Sequence, residues 1–311
     1  MKKIILTCLL FVMANACLAD IILEVPASPD KGFNFPYLIK LPEVIAETDN
    51  IRLIVESNNT GKVSDEFSAH YEAAKNAIVG NAIGPLLSKK LSFPILMPVF
   101  PRSETQWDVY THALDRDTIV QKSTKLERID LQLLAMIEDA KNVIGKRSIH
   151  VQDKIILAGF SASGTFANRF SLLHPEKIEI VIAGGLNGTL MFPIEAIDNR
   201  TLDYPIGIGD FYCVTGKEFD LEQWLKVKQF LFMGEKDTND AVSYDDAYSE
   251  KERLLIYETT GKKIQPDRWL NSQKIYLKNN ATVNFRTFKG IGHGTNGDIH
   301  REILSFVHEN I

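Results

Sequence analysis

Ser161, Asp237 and His293 are the three residue types that together make an acyl-transfer site, and they occur in that order. A serine hydroxyl is a poor nucleophile at neutral pH until a neighbouring base takes its proton. Imidazole suits that task, and a carboxylate on its far nitrogen fixes the tautomer and steadies the imidazolium. Ser161 lies in Gly159-Phe-Ser-Ala-Ser163-Gly164, after the apolar run Ile155-Ile-Leu-Ala158 and before a helical pattern of Phe166, Phe170 and Leu173. On a strand-to-helix turn a serine hydroxyl stands clear of the backbone, beside the first free N–H groups of the helix. Strand and helix come close at such a turn, which demands small residues. Gly159 supplies one; Ser163 stands where a second glycine is usual, with Gly164 next.

The other two residues follow apolar runs. Phe230-Leu-Phe-Met233 ends in Gly234-Glu-Lys-Asp237-Thr-Asn-Asp240, and Val283-Asn-Phe-Arg-Thr-Phe288 ends in Lys289-Gly-Ile-Gly-His293-Gly294. Asp240 is the alternative acid; whichever carboxylate is not used is expected to cap the loop. Of seven histidines only His293, His300 and His308 lie beyond the acid, and the last two fall in a C-terminal helical pattern. A metal held by His293 and His300 would lack a carboxylate at ligand spacing. An oxyanion needs two backbone donors. Ala162 is one, and the loop after the run 93–100 is expected to give the other. Phe100 is the first choice there and Arg102 the second, because Pro101 has no N–H. Arg102, Trp107 and Tyr110 are candidates for the substrate pocket, although both aromatics would serve equally well in the core.

Serine, acid, histidine, each just past a strand, is the order found in α/β-hydrolases. In an open α/β sheet, ligands bind at the carboxyl ends of the strands. The chain resembles the α/β-hydrolase superfamily over nearly all of its length beyond the first residues, in particular secreted bacterial esterases of the polyhydroxyalkanoate-depolymerase and feruloyl-esterase kind. Asp237 matches the family's Gly-x-x-Asp pattern. Val99-Phe-Pro-Arg102 departs from it, standing where a His-Gly-Gly-Gly run is often found. The resemblance implies a mainly parallel sheet with helices on both faces and a serine hydrolase that cleaves a small or polymeric carboxylic ester through an acyl-enzyme. No metal or organic cofactor is implied. A peptidase, an acyltransferase or a non-catalytic binding protein on the same fold is the alternative.

The elements needed to position these groups are legible. Strands are expected at 32–39, 51–56, 93–100 and 178–183, with a helix at 64–77. The clearest helix is 126–144, where Leu126, Ile129, Leu133, Ile137, Ala140 and Ile144 recur at helical spacing. Thr124 and Glu127 suggest a capping box for it, and Gly145 a stop. Strand and helix patterns alternate throughout, which argues for a parallel sheet. Residues 186–226 are long and irregular between two core strands, and are expected to form a small cap over the pocket. A second insertion, 244–280, has room for two helices.

Composition sets the outer limits. The chain has 311 residues, 45% hydrophobic and 24% charged, which is ordinary globular usage and enough for one large α/β domain. A net charge of −5 offers no basic stripe for nucleic acid. Lys2 and Lys3, an apolar stretch and then Ala14-Asn-Ala16-Cys17-Leu-Ala19 have the layout of an export signal, with cleavage after Ala16 or Ala19. Lipidation at Cys17 is the lesser expectation. The apolar stretch is shorter than the roughly 20 residues a membrane span requires. Loss of residues 1–19 would leave Cys213 alone of the three cysteines, and hence no intrachain disulfide.

Overall fold

The computed structural model describes residues 20–59 and 61–311; the expected export signal and Cys17 lie outside them. The chain opens with β1 (Ile21–Val25), β2 (Tyr37–Leu41) and β3 (Ile54–Glu56), then α1 (Phe67–Val79), α2 (Ile83–Leu91) and β4 (Ile95–Pro98). Next come α3 (Arg116–Val120), α4 (Ile129–Gly145), β5 (Ile155–Phe160), α5 (Ala162–Leu173) and β6 (Ile178–Gly184). A short hairpin, β7 (Ala196–Ile197) and β8 (Arg200–Thr201), precedes α6 (Phe211–Thr215), α7 (Leu221–Lys226) and β9 (Lys228–Gly234). The chain closes with α8 (Glu250–Thr259), α9 (Trp269–Lys278), β10 (Val283–Phe288) and α10 (Gly297–Asn310).

Eight strands form one sheet in the order β1-β2-β4-β3-β5-β6-β9-β10. β2 runs antiparallel to both neighbours, and from β4 onward every pairing is parallel. Parallel strands are covered on both faces, so β5 and β6 read as unbroken apolar runs. Alternate residues feed two cores. Ile155 and Leu157 face Leu133, Ile137, Phe166 and Phe170 of α4 and α5. Ile156 and Ala158 face Ile78 of α1, Leu87 of α2 and Ile303 of α10.

One expectation changes. Helix α4 begins at Ile129, after Arg128 in a left-handed conformation, so Thr124 and Glu127 do not box its N-terminus. Instead the Glu127 carboxylate accepts the Ser123 N–H at 2.8 Å, within the turn before the helix. The stretch 186–226 sends much of its apolar surface inward. Leu190, Met191, Phe192, Leu202, Tyr204, Phe211 and Trp224 are buried in the α4–α5 core, since so much apolar surface gains more from core packing than from lying over a wet cleft. The second insertion carries α8 and α9, as expected. No helix among the described residues is long and apolar enough to cross a membrane.

The contact of β5 with α5 is the tightest point that bears on function. A Cβ added at Gly159 would lie 2.1 Å from the Ser163 carbonyl oxygen and 2.7 Å from the Gly164 nitrogen, both backbone atoms that cannot swing aside. One at Gly164 would lie 2.5 Å from the Gly184 carbonyl oxygen. Gly159→Ala is therefore expected to lose more than about 3 kcal/mol of stability, at or beyond the upper end of ordinary overpacking. Urea unfolding of the purified variant measures it, and a near-neutral result would mean that the strand–helix junction relaxes.

Candidate active site

Ser161 sits between β5 and α5 at φ 62°, ψ −126°, a conformation that a residue with a Cβ adopts only at a cost of about 1–3 kcal/mol. The surrounding bonds enforce it. Its N–H donates to the Gly184 carbonyl at 2.9 Å, and its own carbonyl accepts the Thr165 N–H at 3.0 Å. Ser163 braces the turn from inside: its hydroxyl accepts the Phe160 N–H at 2.9 Å and donates to the Phe160 carbonyl at 2.8 Å. The serine in the usual glycine position thus closes the turn with its side chain.

The loops after β9 and β10 bring the other two residues to the same rim. Asp237 is buried, and its carboxylate lies 2.9 and 3.1 Å from His293 Nδ1. The Phe160 ring packs on the imidazole with centroids 4.8 Å apart. Gly185, at φ 53°, lies beneath both rings, and a Cβ there would come within 2.6 Å of Phe160 and 3.2 Å of His293. Asp240 is drawn elsewhere. It ion-pairs with the buried Arg268 and caps the turn Ala241–Ser243 through the Val242 N–H. It is the loop-capping carboxylate.

Between Ser161 and His293 stands a residue to which sequence reasoning gave no role. The Asn239 amide nitrogen lies 3.3 Å from Ser161 Oγ and 3.0 Å from His293 Nε2, so the two are joined through this amide. Its only signal in the sequence was its place two residues after the acid, on the same loop.

Ala162 is the first residue of α5, and its N–H has no acceptor among the described residues. Phe100 does not supply the second donor: its N–H is held by Asn58 Oδ1 at 2.9 Å, and Asn58 Nδ2 donates back to the Phe100 carbonyl at 2.8 Å. The Arg102 N–H is directed at His70 Nε2, 3.4 Å away. The reason lies in the strand order. β3, not β4, is the neighbour of β5, so the loop after β3 reaches Ser161. Asn59 on that loop borders both cavities at Ser161, and its N–H has no acceptor among the described residues.

Those cavities differ. The larger, about 620 Å³, is walled by Asn59, Arg102, Tyr110, Asn187, Asn239 and Asp246, with Trp107 and Tyr244 at its edge. Arg102 ion-pairs with Asp246 at 2.5 Å and lies 3.8 Å over the Tyr110 ring, so its charge is already matched. Tyr110 is buried, whereas Trp107 is 53% exposed and is no core aromatic. Asn187 is the one residue of 186–226 that borders this cavity.

The smaller cavity, about 210 Å³, is bounded by Glu56, Ser57, Met97, Ser161 and Ser163. Burial pushes the Glu56 carboxyl up to about 7, against the opposing effects of the Gly84 N–H at 2.6 Å and the Ser163 hydroxyl. His112, behind the Phe100 loop, is driven down to about 3 by burial and stays neutral. No group of three or more His, Cys, Asp or Glu among the described residues is placed to hold a metal ion.

The chain superposes on poly(aspartic acid) hydrolase-1 from Sphingomonas sp. KT-1 with a TM-score of 0.55, at 15% identity, over 93% of this chain and 97% of that one. It superposes on an S-formylglutathione hydrolase from Agrobacterium tumefaciens with a TM-score of 0.52, at 11% identity, over 96% and 98% of the two chains. No family model matches the sequence, and no curated protein matches it. With the strand order and the strained serine turn, this likeness defines the fold as that of the α/β-hydrolases.

Glu56 gives a pH test of this geometry. Its carboxyl is held above its ordinary value of 4.5, so ionising it in the fold costs stability as pH rises from about 4.5 to about 7. Glu56→Gln removes that cost. The stability of the variant relative to the parent should rise between pH 5 and pH 8, by at most roughly 3 kcal/mol. Urea unfolding at both pH values reads the difference, and parallel curves would show that Glu56 carries no such load.

Proposed function

We propose that the protein is a serine hydrolase that cleaves a carboxylic ester through an acyl-enzyme. The observation that carries this reading is the Asp237–His293 bond beside a serine held in a strained strand-to-helix turn. Ser161 Oγ attacks the ester carbonyl carbon as its proton passes to His293 Nε2. Asp237 keeps the Nδ1 proton in place and stabilises the imidazolium. The carbonyl oxygen, now negative, is received by the Ala162 N–H and the Asn59 N–H. Collapse of this intermediate breaks the bond to the alcohol, which leaves with the proton from His293. Water then repeats the sequence in reverse and frees the acid.

Two cavities meeting at Ser161 suit a substrate with an arm on each side of the scissile bond. The names of both fold neighbours, each a hydrolase, support the reaction class. The N-terminal pattern of residues 1–19 supports export.

A fluorophosphonate probe should label the protein, and Ser161→Ala should abolish the label and lower kcat on p-nitrophenyl butyrate at least about a thousandfold. Failure of the intact protein to label would refute the reading. Asp237→Asn should lower kcat about 10⁴-fold with little change in KM. Asp240→Asn is expected to do the opposite. It leaves kcat within a few-fold but costs about 3–5 kcal/mol, because Arg268 is then buried without its carboxylate. Steady-state kinetics and urea unfolding of the two variants, side by side, identify the acid.

A further inference from the structure

We propose that Asn239 is a substrate-operated positioning residue. Its amide occupies the Ser161–His293 hydrogen-bond site in the free enzyme, and an acceptor oxygen on the substrate draws it away so that the two can bond. The inference rests on the serine-hydrolase reading and deepens it. With Asp237 on Nδ1, the ring proton is on that nitrogen and Nε2 carries a lone pair. The amide N–H of Asn239 points at that lone pair from 3.0 Å and at Ser161 Oγ from 3.3 Å. This is the same lone pair that must take the serine proton. An amide N–H cannot relay a proton at neutral pH, so attack cannot begin while it stays there. Once Nε2 is protonated, imidazolium and amide are both donors and repel. The side chain must therefore turn away in every cycle.

It is free to turn. The Asn239 backbone is pinned by its N–H to Asp237 Oδ1 at 3.0 Å, and its neighbour Asp240 by Arg268, yet Asn239 Oδ1 accepts no hydrogen bond from the described residues. The space it turns into is the larger cavity, whose wall it shares with Asn59, Asn187 and Tyr244. The substrates that satisfy a displaced amide are esters with an ether, hydroxyl or carbonyl oxygen a few bonds from the scissile carbonyl. Plain alkyl esters give the displaced amide no acceptor, so it turns away less readily with them and they react more slowly.

The test compares the parent with Asn239→Ala and the near-isosteric Asn239→Leu, each checked by urea unfolding; either variant alone is sufficient. Three reactions are read: inactivation by diisopropyl fluorophosphate, and turnover, as kcat and KM, of p-nitrophenyl butyrate and of p-nitrophenyl methoxyacetate. Removal of the amide should speed inactivation and butyrate kcat about threefold or more. It should raise KM for methoxyacetate and cut the methoxyacetate-to-butyrate preference at least tenfold. Equal slowing on all three, or no change, overturns the proposal. If the parent itself is not inactivated at Ser161, the serine-hydrolase reading fails instead, and the two failures cannot be confused.

Discussion

The site depends on the closeness of β5 to α5. Gly159 has no room for a side chain against the backbone of Ser163, and Gly164 has none against Gly184. That approach is what forces Ser161 into its strained conformation and lifts its hydroxyl out of the turn. The strain is affordable because all twelve residues of α5 are buried. Phe166 and Phe170 alone place two large rings in the α4–α5 core, each contributing on the order of 2 kcal/mol or more. A helix so anchored cannot retreat to relax one residue at its N-terminus. The same N-terminus leaves the Ala162 N–H next to the hydroxyl with no acceptor among the described residues, so the raised hydroxyl and the free N–H arise from a single packing constraint.

Around that turn, polar groups are divided by what each can reach. Asp237 and Asp240 lie three residues apart on one loop, yet one meets an imidazole and the other a buried guanidinium. Arg268 is the larger structural demand, since a buried cation without a counter-charge costs several kcal/mol. By holding Asp240 it keeps that carboxylate turned away from the imidazole. Glu56 does comparable work on the far side, receiving the Gly84 N–H in the first turn of α2 while facing Ser163.

Much of this was legible in the chain. That Ser161, Asp237 and His293 come to one rim could be read because each follows its own apolar run, and the parallel sheet because strands and helices alternate. What could not be read was order across the sheet. β4 follows β3 in sequence but lies outside it in space, so a free backbone N–H beside Ser161 is expected at Phe100, whereas Asn59, one strand nearer, borders the cavities there and the Phe100 N–H is held by Asn58. Periodicity also says nothing about which core a long loop joins. Leu190, Met191 and Phe192 look the same in sequence whether they line a lid or a wall. Asn239 was hidden for a different reason: an amide carries no charge or metal preference, and its place between Ser161 and His293 shows only as two distances.

Since 186–226 is spent on the core, the mouth of the site is built from the loops after β4 and β9. Arg102 from the first and Asp246 from the second join across the larger cavity, and the Tyr110 ring backs the guanidinium. The Ala241 N–H ties the second loop to the Asn187 carbonyl at 2.7 Å. The lining of the larger cavity consequently consists of amides, the Tyr110 and Tyr244 phenols, the Trp107 indole, a neutralised ion pair and the Asp245 carboxylate, with few aliphatic groups. Such a surface gains little by burying an alkyl chain and much by exchanging water for a substrate's oxygens, because polar groups desolvated without partners cost about 1–3 kcal/mol each. Polarity at the mouth and an amide lodged between the Ser161 hydroxyl and the imidazole are thus two consequences of one arrangement, in which the larger cavity was left mainly to hydrogen bonding while Ile83, Met97 and Phe160 line the smaller one.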